Sequence, residues 1–94
     1  MPWHLYLIEC ADGSLYAGVT TDVERRFRQH LAGQGARYTR SHRPLRVLAS
    51  RPFDSRSAAL KAEIALKRLP KSRKLAALRV PAVENESTLR IAES

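Results

Sequence analysis

The sequence predicts a small α/β domain of the α+β type, with a β-hairpin, a third strand and flanking helices. Two apolar runs near the N-terminus surround a short turn-like segment, which is the pattern of a hairpin. Further along, apolar residues recur at helical spacing, and one segment between them alternates between apolar and polar residues. Ninety-four residues are enough for one small domain with its own core.

The hairpin turn is predicted at Ala11–Ser14, and its register decides whether two tyrosines can cooperate. Side chains alternate across a strand, so Tyr6 and Tyr16 share a face only if paired positions sum to an even number. A two-residue turn makes that sum odd. A three-residue loop with Gly13 in the left-handed conformation makes it even and places Gly18 opposite Tyr6. The two strands are residues 3–10 and 15–20.

The first helix is predicted to begin at a capping box formed by Thr21 and Glu24 and to end in the glycine-containing segment 33–35. Its apolar positions are Val23, Phe27 and Leu31. Arg26 and His30 are four residues apart, so their side chains share one face of this helix.

A third strand and two more helices are predicted in the rest of the chain. Residues 36–43 are polar and arginine-rich, which indicates a loop or one short helical turn. Leu45–Phe53 alternates as a strand does. Asp54 or Ser55 can cap a helix that runs to about Leu69. Its expected apolar stripe is Ala58, Ala59, Ala62, Ala65, Leu66 and Leu69, and Lys71–Arg79 forms the last helix after Pro70.

The domain is expected to occupy residues 1–80, with a mobile tail at 81–94. The single cysteine, Cys10, excludes an internal disulfide framework and fits a reducing compartment. The chain begins without a secretory signal pattern and has no apolar run near the roughly 18 residues of a membrane span. We therefore expect a cytoplasmic protein with no membrane partner, and we expect Cys10 to be a buried strand residue.

Charge favours a polyanionic partner. Seventeen basic residues against nine acidic ones give a net charge of +8. Eight arginines and no acid lie between Arg25 and Arg51. Such a distribution suits nucleic acid, because phosphate contacts release condensed counterions. The alternative is that the arginines only solvate the surface.

Tyrosine, arginine and histidine residues around the hairpin form the candidate catalytic set. A phenol has a pKa near 10 and acts as a base only when nearby cations favour the phenolate. Arg26 could supply that cation and hold a phosphate oxygen, and His30 could relay a proton or bond the phenol. Taken separately, a strand tyrosine such as Tyr6 or Tyr16 is more often a packing residue, and Arg26 and His30 are more often solvated helix residues.

Glu63 is the candidate metal ligand, since Mg²⁺ takes only one or two protein carboxylates and keeps several waters. It lies at the edge of the predicted apolar stripe. The alternative is a structural ion pair with Lys67, one helical turn later.

The basic segment after the first helix could clamp a phosphate backbone, with Tyr38 stacking on a base. An ordinary exposed loop is the alternative. The candidate nucleic-acid contacts are Arg37, Tyr38, Thr39, Arg40 and Arg43.

Together these motifs resemble the GIY-YIG endonuclease family, from about Trp3 to Leu69. The resemblance is greatest to the small stand-alone bacterial members, and the segment after the first helix is also similar to the nuclease domain of the structure-specific resolvase subunit. The residues that carry it are Leu5-Tyr6-Leu7, Tyr16-Ala17-Gly18, the Arg26 and His30 helix, Gly35-Ala36-Arg37-Tyr38-Thr39-Arg40 and Ala62-Glu63-Ile64. His4-Leu5 and Ala17 depart from the motif letters at positions where the family varies.

The resemblance implies a three-stranded antiparallel sheet flanked by helices and a metal-dependent nuclease. In it Tyr6 and Tyr16 are the motif tyrosines, Arg26 and His30 the helix residues, and Glu63 the ligand of Mg²⁺ or Mn²⁺. DNA is favoured over RNA as the substrate. No targeting module accompanies the catalytic core, so specificity would be weak or structural, or would come from a protein partner or self-association. A non-catalytic nucleic-acid-binding module with the same fold is the alternative.

Overall fold

The computed structural model describes residues 1–79, and the predicted tail at 81–94 lies outside them. The elements are β1 Trp3–Cys10, β2 Leu15–Thr20, α1 Val23–Leu31, α2 Arg37–Ser41, β3 Pro44–Phe53, α3 Arg56–Lys67 and α4 Lys71–Arg79. The three strands form one antiparallel sheet in the order β2-β1-β3. The predicted fold class is confirmed. Of the loop or short helical turn predicted for residues 36–43, the structure has the helical turn, which is α2.

The hairpin has the three-residue loop that the parity argument requires. Gly13 has a φ of 85°, and its N–H donates to the Cys10 carbonyl at 2.9 Å. Tyr6 pairs with Gly18, and Ile8 pairs with Tyr16. The two tyrosines therefore lie on the same face of the sheet.

Helix α1 begins one residue later than the predicted capping box. Asp22 is the N-cap, and its carboxylate accepts a hydrogen bond from the Arg25 N–H at 3.1 Å. The box predicted at Thr21 is wrong, because the Thr20 hydroxyl accepts from the Asp22 N–H and fixes Asp22 in the extended conformation that a cap needs.

The end of α1 is set by Gly33, which has a φ of 77°. Its N–H donates to the His30 carbonyl, and the Gln34 N–H donates to the Gln29 carbonyl at 2.8 Å. This pair of bonds is a Schellman motif, which directs the chain sharply away from the helix axis. The turn leads the chain back toward the sheet and into α2.

The central strand β1 is buried on both faces. Leu5 and Leu7 belong to one apolar cluster with Leu66 of α3 and Leu78 of α4. Tyr6, Ile8 and Cys10 form the other cluster, packed against α1 and α2 residues, and Cys10 is buried as predicted. The sheet thus separates an aliphatic core from an aromatic one.

Helix α3 is capped by Ser55, whose hydroxyl accepts from the Ala58 N–H at 3.1 Å. It ends at Lys67, slightly before the predicted Leu69. Ala59 and Leu66 are buried, but Ala65 is exposed, so the predicted stripe was too wide on that side. Only one face of α3 is covered by the sheet and α4.

Strand β3 contains Pro44 and Pro52, which lie opposite Cys10 and His4 of β1. None of the helices within residues 1–79 is long and apolar enough to span a lipid bilayer.

Candidate functional site

Tyr6 is the centre of a buried polar cluster on the aromatic face of the sheet. Its side chain is 2% exposed, and its hydroxyl is 2.9 Å from Nε2 of His30 on α1. A Cβ at Gly18 would lie 2.5 Å from the Tyr6 hydroxyl oxygen, so only glycine leaves the ring its place. The hairpin register therefore sets the position of this phenol.

His30 connects Tyr6 to α2. Its Nδ1 is 2.6 Å from the Thr39 hydroxyl, which lies 2.9 Å from the Ala36 carbonyl. A carbonyl only accepts, so Thr39 donates to Ala36 and accepts from Nδ1–H. The Nε2 of a neutral His30 is then unprotonated and accepts from the Tyr6 hydroxyl. The hydrogen-bond chain fixes both the tautomer and the direction of each bond.

Burial determines the protonation states of Tyr6 and His30 in this chain of hydrogen bonds. It lowers the pKa of His30 from 6.5 to about 4, with a further lowering by the nearby Arg26 guanidinium. Burial also raises the pKa of Tyr6 from 10 to about 12, although Arg26 acts in the opposite direction. The Arg26 cation was expected to favour a Tyr6 phenolate, but desolvation outweighs its effect on the Tyr6 pKa. At neutral pH Tyr6 is a hydroxyl and His30 is neutral.

Tyr16 is the more accessible tyrosine. It is half-buried, and its ring centroid lies 5.2 Å from that of His30 and 6.3 Å from that of Tyr6. The Lys67 ammonium lies 6.0 Å from the same centroid. Tyr16 thus lies at the edge of the buried cluster, where part of its side chain is exposed to solvent.

Arg26 lies on the same side of α1 as His30, as the spacing predicted. Its guanidinium donates to the Gln29 side chain at 3.0 Å and acts electrostatically on both Tyr6 and His30. Arg26 also lines a surface cleft of about 340 Å³. The guanidinium therefore stands between the buried cluster and an open cavity.

Glu63 lies near the tyrosines, since its carboxylate contributes to the raised pKa of Tyr6. Its side chain is 16% exposed, and Oε2 is 3.3 Å from Lys67 Nζ. The structural ion pair that the sequence left open is therefore present. A half-buried carboxylate with solvent access fits a Mg²⁺ or Mn²⁺ ion that keeps most of its waters. Within residues 1–79 no three acidic, histidine or cysteine side chains cluster as an all-protein metal cage.

Helix α2 divides its residues between the surface and the core. Arg37, Arg40 and the following Arg43 are exposed. Tyr38 stacks on His42 with ring centroids 3.9 Å apart, and it also stacks on Tyr16 at 5.8 Å. The predicted base-stacking ring thus already has protein partners.

Thr39 differs most from its predicted role. It was expected among the nucleic-acid contacts, but it is 3% exposed and bonded to His30. Burial leaves it no surface to present to a phosphate, and its hydroxyl is bonded to Nδ1 of His30 instead. Its sequence neighbours gave no signal for this, because the contact depends on how the Schellman turn aims α2.

Sequence reasoning also missed Gly35 and the second role of Lys67. A Cβ at Gly35 would overlap Nδ1 of His30, so this glycine admits the imidazole. Lys67 was considered only as a partner of Glu63, yet it reaches the Tyr16 ring as well. Both contacts are tertiary and have no local pattern.

Paired motif tyrosines on a hairpin, followed by a helix with arginine and histidine at i and i+4, define the GIY-YIG class of nuclease domains. Residues 2–76 match the model of the GIY-YIG catalytic domain, and the chain belongs to that family. Within it the chain is similar to small proteins named UPF0213.

The UPF0213 protein of Xanthomonas axonopodis pv. citri is 58% identical over 92% of this chain and 85% of its own length. The UPF0213 protein of Cupriavidus pinatubonensis is 61% identical over 79% of this chain and 82% of its own length. The solution structure of the Bacillus halodurans UPF0213 protein is 40% identical, with a TM-score of 0.52 over 96% of this chain and 98% of that one. A solution structure from E. faecalis is 38% identical, with a TM-score of 0.58 over 83% of each chain.

Proposed function

We propose that this protein is a metal-dependent endonuclease that hydrolyses phosphodiester bonds in DNA with weak or structure-based specificity. The observation that carries the proposal is the convergence of Tyr16, Arg26 and Glu63 around the buried Tyr6–His30 pair. Membership of the family points to nuclease chemistry. The metal, the substrate and the residue roles are inferred from the site.

The two tyrosines have different roles in this proposal. Tyr6 is buried and its proton is directed to His30. Burial raises the pKa of Tyr6 and lowers that of His30, so both shifts oppose transfer of the proton to His30 in the resting protein. Tyr6 therefore acts as a positioning residue, and the more exposed Tyr16 contacts the attacking water.

Arg26 stabilises the charge that develops on the scissile phosphate. A guanidinium can donate two parallel hydrogen bonds to phosphate oxygens. Its bond to Gln29 and its place beside Tyr6 orient it before substrate binds, so little reorganisation is needed during the reaction.

Glu63 would hold the divalent ion, either Mg²⁺ or Mn²⁺. A bound ion would polarise the scissile phosphate as a Lewis acid. Lys67 contacts the same carboxylate and reaches toward Tyr16, so it keeps both side chains on the side of the substrate.

The exposed arginines provide affinity. Arg37, Arg40 and Arg43 follow one another along α2 and the short connection to β3, where they can contact successive phosphates. Such contacts read no base sequence. A partner protein, or self-association, would then direct the nuclease to particular DNA structures.

The alternative is a basic nucleic-acid-binding module without catalysis. The ion pair between Glu63 and Lys67 favours it, because that pair gives the carboxylate a structural reason to be present. The two functions share their binding surface and differ only in whether metal permits cleavage.

Substitution of Glu63 by Gln separates them. We expect Glu63→Gln to abolish Mg²⁺- or Mn²⁺-dependent nicking of branched, single-stranded and duplex DNA, while DNA affinity in EDTA stays within about twofold, since the arginines carry it. Glu24→Gln, which removes an exposed acid of the same charge from α1, is the control. Wild-type cleavage by Glu63→Gln would reduce Glu63 to a partner of Lys67, and absence of cleavage by wild type on every substrate would favour the binding module.

A further inference from the structure

The cleft beside Arg26 is lined by an aromatic side chain and three arginines. Of these four side chains, only Arg26 has a role in the proposed nuclease chemistry. The cleft lies where the start of β1, the end of β2 and the first turns of α1 and α3 meet. Its charged and aromatic lining comprises Trp3, Asp22, Arg25, Arg26 and Arg56. Its volume of about 340 Å³ is in the range of cavities that hold small organic ligands.

Charge in the cleft suits a phosphate. The lining contains three guanidinium groups and one carboxylate, that of Asp22. This carboxylate already accepts a hydrogen bond from the α1 backbone. Arg25 and Arg56 are exposed, so their guanidinium groups can move to meet an incoming anion.

Trp3 offers a surface for a base. Its indole is half-buried at the beginning of β1, and the Arg56 guanidinium lies 5.5 Å from the ring centroid. Arginine on an indole face is a weak cation–π contact at an exposed site, so a planar base can take its place. Tyr38, in contrast, is stacked within the protein.

We propose that this cleft binds one unpaired nucleotide of the substrate strand, with its base on Trp3 and its phosphate between Arg25 and Arg56. The inference rests on the proposed nuclease function and adds a substrate class to it: nucleic acid with a single-stranded segment next to the cleaved bond. Arg26 lines the cleft and also contacts the tyrosine cluster electrostatically, so the bound nucleotide is adjacent to the candidate site. A base within a duplex cannot stack on Trp3 without leaving its neighbours, which disfavours duplex here.

Trp3 is the single tryptophan of the chain, so its fluorescence reports on this cleft alone. We expect a short single-stranded oligo(dT) or oligo(U) to quench Trp3 emission as it binds in the presence of EDTA. A blunt duplex of equal length should quench Trp3 much less. Fluorescence anisotropy of labelled oligonucleotide measures total binding in parallel. Glu63→Gln should show the same quenching as wild type, because this binding needs no metal.

Two variants test the contacts. Arg56→Ala should weaken single-strand binding at least fivefold, whereas Arg73→Ala, which removes an equal charge on α4, should have a smaller effect. Trp3→Ala should lose roughly 5- to 150-fold in single-strand affinity, the usual range for one stacked base, and Trp3→Phe should recover part of that loss. Trp3→Phe also guards against misfolding of Trp3→Ala.

Binding that saturates by anisotropy without quenching Trp3 would place the strand elsewhere and overturn the proposed nucleotide site. Equal quenching by duplex, or no binding at all, would also overturn it. Equal losses for Arg56→Ala and Arg73→Ala would also overturn it, since only net charge would then matter. Quenching without metal-dependent cleavage of any substrate would support the cleft and reject the nuclease.

Discussion

Three side chains from separate elements are joined in one chain of hydrogen bonds in this molecule. Tyr6 donates to His30, His30 donates to Thr39, and Thr39 donates to a backbone carbonyl. Each bond depends on the next for its direction. The residue-level consequence is that His30 resists protonation, because a second proton would remove the acceptor for Tyr6.

Stability should therefore fall in mild acid. The unfolded chain binds a proton at His30 near pH 6.5, whereas the folded chain does so only near pH 4. The unfolded state binds more protons in that window, so unfolding becomes easier as pH falls from 6.5 to about 4, by up to about 3 kcal/mol. Urea unfolding at several pH values measures this. His30→Gln should flatten the profile across that window; an unchanged slope would assign it to other groups.

Gly18 should not tolerate even a methyl group. Gly18→Ala would place Cβ 2.5 Å from the Tyr6 hydroxyl oxygen and 2.7 Å from Cζ. The ring must move, and we expect a loss of roughly 1–3 kcal/mol of stability, the usual cost of overpacking. Ala17→Gly, one residue earlier and without a new clash, is the comparison for backbone effects, although it removes a buried methyl. Unaltered stability of Gly18→Ala in chemical unfolding would show that the ring has another place to go.

Helix α1 presents the candidate catalytic residues to the hairpin. Asp22 fixes where the helix begins, and the Schellman turn at Gly33 fixes where the chain leaves it. Arg26 and His30 occupy the inward face between these two ends, and Arg28 lies on the outer face, exposed and paired with Glu24.

Arg26 and Arg28 should accordingly differ in their effect on cleavage. We expect Arg26→Ala to lower the single-turnover rate on the order of 10²–10³-fold, as removal of one preorganised donor does, with a smaller effect on affinity. Arg28→Ala removes the same charge from the same helix and should change the rate little. Equal losses would mean that both arginines only attract DNA.

Local pattern predicted the elements of this fold better than their contacts. The Tyr6–Gly18 register was predictable because side chains alternate strictly along a strand, and helical spacing placed Arg26 beside His30. The Asp22 cap was missed because the bond from the Asp22 N–H to the Thr20 hydroxyl, which favours Asp22 as the cap, is not part of the capping-box pattern. The buried role of Thr39 and the Trp3–Arg56 cleft were beyond reach, since they join segments distant in the chain whose approach depends on packing.

A net charge of +8 should make DNA binding by the protein steeply dependent on salt. We expect the logarithm of duplex affinity to fall linearly with the logarithm of salt concentration. Arg37→Ala or Arg40→Ala should flatten the slope by about 0.9 for each lost phosphate contact and weaken all sequences alike. A salt-independent affinity, or a loss confined to one sequence, would remove α2 from the binding surface.

The prolines of β3 have a consequence for how the protein behaves when concentrated. In the described part of the chain β3 is an outer strand of the sheet, bonded to β1 on one side. Proline has no N–H, so Pro44 and Pro52 interrupt the row of donors that another molecule's strand would need. This side of the sheet is thereby protected against the edge-to-edge growth that leads to fibrils.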